Sequence, residues 1–492
     1  MSKEKETRTG MEKNNNMSGE QSKEDKRIYT LREEKPAKAV VKLGLPLVAG
    51  MFIMVLYNLV DTFFIGLMRD DYQLAAVNLA YPVMMISIAI SNMVGAGAGS
   101  LIARSIGAKD MEKANRTLAV GFLMTVIDSI IVAVIGMLFL TQIVKGLGAQ
   151  SNTFLYTKQY VSVILIGSIF TMGNYTFGQL LRSEGSVKYS IAGMILGTIV
   201  NIILDPVFIF LLGMEIRGAA IATILGNGAG MAISLWYYVA GKTLLKPSLK
   251  KSSAGMTLSA AKTVTAEAKA EQQKDSVWAI VKEIFWVGVP ASLETLLTSA
   301  AYIVNNNLAV SYGELTVAAM GISQKILTFG SYIYQGFAAG VQPLMGYNYG
   351  AKNYKRMLQV LKAGVLVVSG IELCVLLVYG VTAPVLIGIF TASEEVIRTG
   401  SRILRTVMWI LPFVGAISMS RMSFQAMGKP QFAFGITLVR QLFLYVPLLL
   451  ILNHIFGFHG MIWAQPVTEM IMMVVSVTLL SSVLRGKAKE IA

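Results

Sequence analysis

Apolar stretches long enough to cross a bilayer core, which takes roughly 20 helical residues, set the organisation of the chain. "VSVILIGSIFTMGNYTFGQLL" and "MILGTIVNIILDPVFIFLLGM" are two of them. Barrel strands would show segments of about ten residues with alternating polarity, whereas these runs are continuous. The pattern predicts an all-α polytopic membrane protein with twelve transmembrane helices. They fall near 40–66, 73–103, 115–141, 156–181, 189–212, 217–241, 278–309, 315–346, 358–390, 396–427, 431–453 and 458–484.

The pattern breaks between the sixth and seventh helices. "KTLLKPSLKKSSAGMTLSAAKTVTAEAKAEQQKDS" is rich in Lys, Ser, Thr and Ala and poor in large apolar residues. The expected organisation is therefore a disordered tail 1–39, a six-helix bundle 40–242, a linker 243–277, a second six-helix bundle 278–485 and a short tail 486–492.

Composition narrows the class. The chain is 54% hydrophobic and 14% charged, against about 25% charge in ordinary soluble domains. Its net charge of +15 is one mark of a nucleic-acid binder, but the charges sit in short loops between apolar runs, so no nucleic-acid partner is expected. Arg104, Lys109, Lys113, Arg116, Arg182, Lys188, Lys352, Lys355, Arg356, Lys429, Arg485 and Lys487 fall on the same side as both tails and the linker. The excess of Lys and Arg on cytoplasmic loops places both termini in the cytoplasm. The first 40 residues lack a signal-peptide hydrophobic core. The single cysteine, Cys374, lies in an apolar run and reads as packing.

The two halves resemble each other at an offset near 243 residues. "LGLPLVAG" from Leu43 matches "VGVPASLE" from Val287, "SIGAKDMEKA" from Ser105 matches "NYGAKNYKRM" from Asn348, and Gly185 pairs with Gly428. Six helices repeated in parallel predict two bundles around a central cavity, related by an axis along the membrane normal, with transport by alternating access.

"LYNLVDTFFIG", "GAGSLIARSIGAKD", "NIILDPVFIF" with "GMEIRGAAIAT", and "QAMGKPQF" resemble the multidrug and toxic compound extrusion (MATE) family over residues 38–485. The acidic residues look most like its DinF-type branch. The resemblance implies a secondary antiporter that exports organic cations in exchange for H⁺ or Na⁺. It also implies a cation site in the first bundle, carried here by Asp61, Asp205, Tyr57, Asn201 and Thr223. Expected partners are small cationic or amphipathic organic substrates and the lipid bilayer. The chain is expected to be a monomer with no cofactor other than the coupling ion.

The positions support that site independently. Asp61 lies 19 residues beyond Lys42, and Asp205 lies 17 beyond Lys188. At about 1.5 Å per residue each carboxylate sits roughly 26–28 Å above the basic edge, in the outer half of the membrane. Asn201 and Asp205 are four apart, as are Tyr57 and Asp61, so each pair shares a helix face. A low-dielectric site and a close like charge both favour proton retention by a carboxylate. The same oxygens of Asp61, Asn201, Asp205 and Thr223 also suit Na⁺. Pro206 removes a helix hydrogen bond and bends the chain, which makes it a hinge. Ionisable groups inside a membrane are functional hypotheses by default, while a buried aspartate capping a broken helix is the structural alternative.

The second half has Asn305 where the first has Asp61, and Leu448 opposite Asp205, so ion handling is expected in the first. Glu294, Asn305, Asn306 and Asn174 are candidates for lining the substrate cavity, with helix packing the alternative for Glu294. Gln179, Gln335, Arg421 and Arg440 read as packing or interface residues, and Asp128 and Glu372 as either. "GKT" at Gly241–Thr243 is no phosphate loop, because Trp236 stands where its first glycine would. An enzyme is not expected. The rival function is a lipid-linked oligosaccharide or lipid flippase of the same superfamily.

Overall fold

A computed structural model of the protein describes residues 27–67, 71–149, 151–248, 276–391 and 393–489. The side chains of Tyr57, Asp61 and Asn306 are outside what it describes, as is most of the linker. Among the described residues the chain is helical, with no strand. After a short helix α1 over 27–32, the first half contains α2 (Pro36–Leu67), α3 (Asp71–Gly107), α4 (Met111–Leu138), α5 (Leu140–Gly146), α6 (Ser151–Ile166), α7 (Ser168–Ser183), α8 (Val187–Pro206) and α9 (Glu215–Val239). The second contains α10 (Val277–Val310), α11 (Glu314–Gly350), α12 (Tyr354–Gly388), α13 (Glu394–Val407), α14 (Leu411–Ala426), α15 (Pro430–Leu438) and α16 (Val446–Lys489).

Eight of these helical stretches are long and apolar enough to cross a membrane, and a ninth arises if the bent pair α6 and α7 is one span. That pair bends by 51° at Gly167, where a Cβ would overlap the Ile224 side chain. α16 is broken at Gly457, whose φ of 54° and ψ of −139° are non-helical. Such backbone suits glycine because other residues pay a steric cost at positive φ.

The tail expected over 1–39 needs correction where the structure describes it. Residues 27–32 are helical and α2 begins at Pro36. Thr30, Leu31 and Glu34 are buried. "RIYTLREE" looks solvated by composition, yet the polar ties of this segment to both halves hold it in place.

The internal repeat is visible residue by residue. Lys109 and Lys352 both adopt positive φ, 61° and 56°. Directly after them, Asp110 accepts a hydrogen bond from the Lys113 amide at 2.9 Å, and Asn353 accepts one from the Arg356 amide at 3.1 Å. Each side chain thereby satisfies one of the orphan donors at a helix start. Gly185 and Gly428 repeat as well, with φ of 82° and 69°.

The halves meet along a seam with close backbone approach. A Cβ on Gly107 would overlap the Tyr347 carbonyl, and one on Gly350 would overlap the Arg104 carbonyl. Because Arg104 and Gly107 lie 243 residues before Tyr347 and Gly350, these two contacts are images of each other. Ser100 Oγ donates across the seam to the Gln425 carbonyl at 2.6 Å, and Ser292 Oγ to the Ala89 carbonyl at 2.7 Å. Most of these contacts lie toward the end of the bundle that carries the basic loops, called here the basic face.

Candidate functional site

A close helix crossing in the first half holds three of the predicted polar residues, Asn201, Asp205 and Thr223. α8 and α9 approach through Gly197 and Gly226, where a Cβ on either would lie 2.8 or 2.7 Å from the other's carbonyl oxygen. A Cβ on Gly226 would also lie 2.9 Å from the Asn201 Cβ, so Asn201 rests directly on α9. Small residues at such crossings are what allow helix backbones to pack closely in membranes.

Asp205, Asn201 and Thr223 are all buried, with Asp205 at 0% exposure. Asn201 Nδ2 donates to Asp205 Oδ1 at 3.3 Å. The other amide atom, Asn201 Oδ1, is buried and has no hydrogen-bond partner among the described residues. The spacing of four thus brings the pair together as expected. Thr223 lies one turn before Asn227 on α9, and Asn227 Nδ2 donates to the Thr223 carbonyl at 3.0 Å.

The helix ends its α-register at this site. Pro206 has no N–H to donate, and residues Val207–Leu211 form a π-turn. Single π-turns inside helices frequently mark functional positions. The next helix, α9, is capped by Gln73, which accepts from the Ile216 amide and donates to Glu215, both at 3.1 Å.

Tyr57 and Asp61 lie on α2, with their backbone helical and their side chains outside the described set. The register of α2 against α8 is nevertheless fixed lower down, where a Cβ on Gly50 would lie 3.6 Å from the Met194 side chain. Asp61 is eleven residues beyond Gly50, and Asp205 is eleven beyond Met194.

The substrate-cavity candidates are distributed differently. Asn174 Nδ2 donates to Asn227 Oδ1 at 3.0 Å, which ties α7 to α9 inside the first half. Asn305 lines a cavity of about 20 Å³ with Met320, Ser323, Gln324 and Tyr445, all from the second half. That volume suits one water molecule. Glu294 pairs with Arg421 and accepts from Gln425 Nε2 at 3.3 Å. These are ties between helices of the second half. Asn306 lies outside the described side chains.

The second half holds more buried charge than its sequence suggests. Glu469 is buried, with Arg440 Nε 3.8 Å away. Glu372 is buried with neither carboxylate oxygen hydrogen-bonded among the described residues. Glu469 and Gln425 escaped the sequence reading, although an acid inside "QPVTEMIMMVV" was an available signal. No group of three or more His, Cys, Asp or Glu residues is arranged to hold a metal among the described residues.

Long apolar helices with a buried carboxylate–amide pair define a membrane transporter better than any catalyst. The chain belongs to the MatE family, whose description matches twice, over residues 46–207 and 290–451. It is a MATE transporter, and its family is one of carriers, not enzymes. It is similar to the multidrug export protein MepA of Staphylococcus aureus strain MSSA476, at 28% identity over 445 residues covering 90% of this chain and 93% of that one. MepA of Staphylococcus haemolyticus strain JCSC1435 is 27% identical over the same shares. Among solved structures, the outward-facing conformation of a multidrug resistance MATE transporter of the MOP superfamily superimposes with a TM-score of 0.83 at 27% identity, covering 94% of this chain and 98% of that one. A MOP-superfamily transporter of Pyrococcus furiosus superimposes with a TM-score of 0.82 at 27% identity over the same shares. For that protein a reversed polarity of the binding pocket is taken to suggest a different function.

Proposed function

We propose that the protein is a secondary antiporter of the bacterial cell membrane that exports organic cations or drugs in exchange for H⁺ or Na⁺ by alternating access. The observation that carries this reading is the wholly buried Asp205, held by Asn201 on the glycine crossing of α8 and α9. The export function of the MepA relatives supports the substrate class. The double family match supports two six-helix bundles. Twelve crossings follow if α4 with α5, α6 with α7, and α13 with α14 each make one, and if α15 with the start of α16 is separated from the rest at Gly457. The basic face is the cytoplasmic one.

The chemistry follows from the Asn201 amide. An ionised Asp205 accepts a hydrogen bond from Nδ2. A protonated Asp205 has an O–H to donate, and the buried Asn201 Oδ1 four residues back is an acceptor in need of one. Protonation therefore reverses the polarity of the pair, favours rotation of the amide, and acts directly beside Pro206 and the π-turn. Na⁺ would instead be taken by the Asp205 carboxylate, Asn201 Oδ1 and the Thr223 hydroxyl, with Asp61 at the same level on α2. Either ion neutralises the site and biases α8 toward a different bend, which changes access to the space between the halves. The DinF-type arrangement, with the ion site in the first half alone, fits this distribution. The flippase reading calls for a cationic cavity. Arg421 and Arg440, inside the second half, instead lie beside Glu294 and Glu469.

Asp205→Asn is expected to reach the membrane at wild-type levels and to lose gradient-driven ethidium efflux. Efflux from vesicles with a pH gradient and a Na⁺ gradient imposed separately identifies the coupling ion. Uphill efflux by the variant at the wild-type rate would remove Asp205 from the mechanism.

A further inference from the structure

The segment before α2 joins both halves at the basic face. Helix α1 ends with carbonyls that have no partner within the helix, as every helix does. Donors from the second half take carbonyls at its end and in the turn that follows. Arg356 Nε donates to the Leu31 carbonyl at 3.2 Å, and its Nη2 donates to the Glu34 carbonyl at 2.8 Å. Asn348 Nδ2 donates to the Leu31 carbonyl at 3.0 Å.

The other side of the segment holds the first half. Arg27 Nη1 donates to Ser186 Oγ at 2.9 Å and to the Tyr237 hydroxyl at 2.6 Å, and Nη2 donates to the Lys242 carbonyl at 3.1 Å. The Leu31 side chain, 2% exposed, faces Gly185. Leu31 therefore touches the first half with its side chain and the second with its carbonyl. Lys42 locks the turn to α2 by donating to Thr30 Oγ1 at 2.8 Å and to Glu34 at 3.0 Å.

We infer that residues 27–34 form a latch that pins the two halves together at the cytoplasmic face, and that the inward-open state requires its release. The inference rests on the alternating-access reading above. Only Thr30, Leu31 and Glu34 of this stretch are buried, so the apolar hold is slight. Most of the attachment is hydrogen bonds that water can replace, which makes it reversible. Two of its donors, Arg27 on the segment and Arg356 opposite, are charged, and bonds of that kind are the stronger class; another across the seam, Asn348, is a neutral amide.

The test uses the full chain in nanodiscs, with Cys374→Ser and spin labels at Lys188→Cys and Lys355→Cys, both exposed positions on opposite halves. Arg27→Ala and Tyr237→Phe are compared with the parent by electron–electron distance measurement. Tyr237→Phe removes only the hydroxyl and keeps the ring packed against Tyr189 at 4.0 Å between centroids, so the fold is preserved. Arg27→Ala is expected to raise the ratio of long to short distances about tenfold, the worth of a lost charged hydrogen bond, and Tyr237→Phe to raise it less. Unchanged ratios in both variants, with a parent that samples both distances, overturn the latch alone. A parent that shows one distance with and without ethidium, at low pH and in Na⁺, overturns alternating access and the latch with it.

Discussion

At the scale of single residues, the Asp205–Asn201 pair is the proposed switch. Asn201→Leu keeps the volume near Gly226 but removes both amide atoms. Its ethidium efflux is expected to fall about a hundredfold or more, the lower end of what a positioned proton-transfer group usually contributes, and measuring efflux from pH 6 to 8 checks this. A titrating group lies outside the membrane. Glu184, in the loop after α7, is fully buried and its carboxyl is pushed up from 4.5 to about 7 by that burial, with bonds from Thr243 and Ser186 and the charge of Arg27 pulling it back. The folded state thus holds a proton that the unfolded state releases, and stability falls as pH rises from about 4.5 to about 7. Glu184→Gln keeps an acceptor for the Thr243 hydroxyl and is expected to lose this slope. The difference is at most about 3 kcal/mol, read from thermal unfolding in detergent between pH 5 and 8. Asp205 and Asn201 were legible because a carboxylate and an amide four apart in an apolar run have few bland explanations. Leu31 was not, because one apolar side chain among charges looks solvated until the carbonyl partners on the other half are seen.

Helices were legible as elements because their apolar runs are continuous, and an unbroken run of that length has one way to satisfy its backbone in lipid. The split of α16 at Gly457 falls in the gap expected between 453 and 458. The bend of α6 against α7 was harder, because Gly167 sits inside the single run expected over 156–181 without a charge to mark it, and only its packing on Ile224 reveals it. The crossing of α8 and α9 offers a direct check. Gly226→Ala places a methyl against the Gly197 carbonyl and the Asn201 side chain, and a lower thermal midpoint is expected, corresponding to about 1–3 kcal/mol of overpacking. Pro206→Ala restores an N–H donor at the start of the π-turn. It is expected to straighten α8 and slow efflux several-fold while the chain stays at least as thermostable as the parent, measured by the same two assays.

For the molecule as a whole, the sequence repeat predicted two related halves, and the paired capping residues Asp110 and Asn353 show how far the relation extends. The second half kept the frame and changed its interior. Where the first holds Asp205 with Asn201, the second holds Glu294, Glu469 and Glu372 on other helices, and the repeat sets Leu448, not an acid, opposite Asp205. Division of labour between two copies of one scaffold is the simplest account of that difference.

The seam has a consequence of its own. Gly107 rests on Tyr347 as Gly350 rests on Arg104, so the contact is self-complementary in the manner of a symmetric dimer joined into one chain. Adding a methyl at either glycine pushes on the same kind of carbonyl from the opposite side. Gly107→Ala and Gly350→Ala should therefore impair export to a similar degree, and a chain bearing both should be barely worse than either, because one wedge already parts the shared contact.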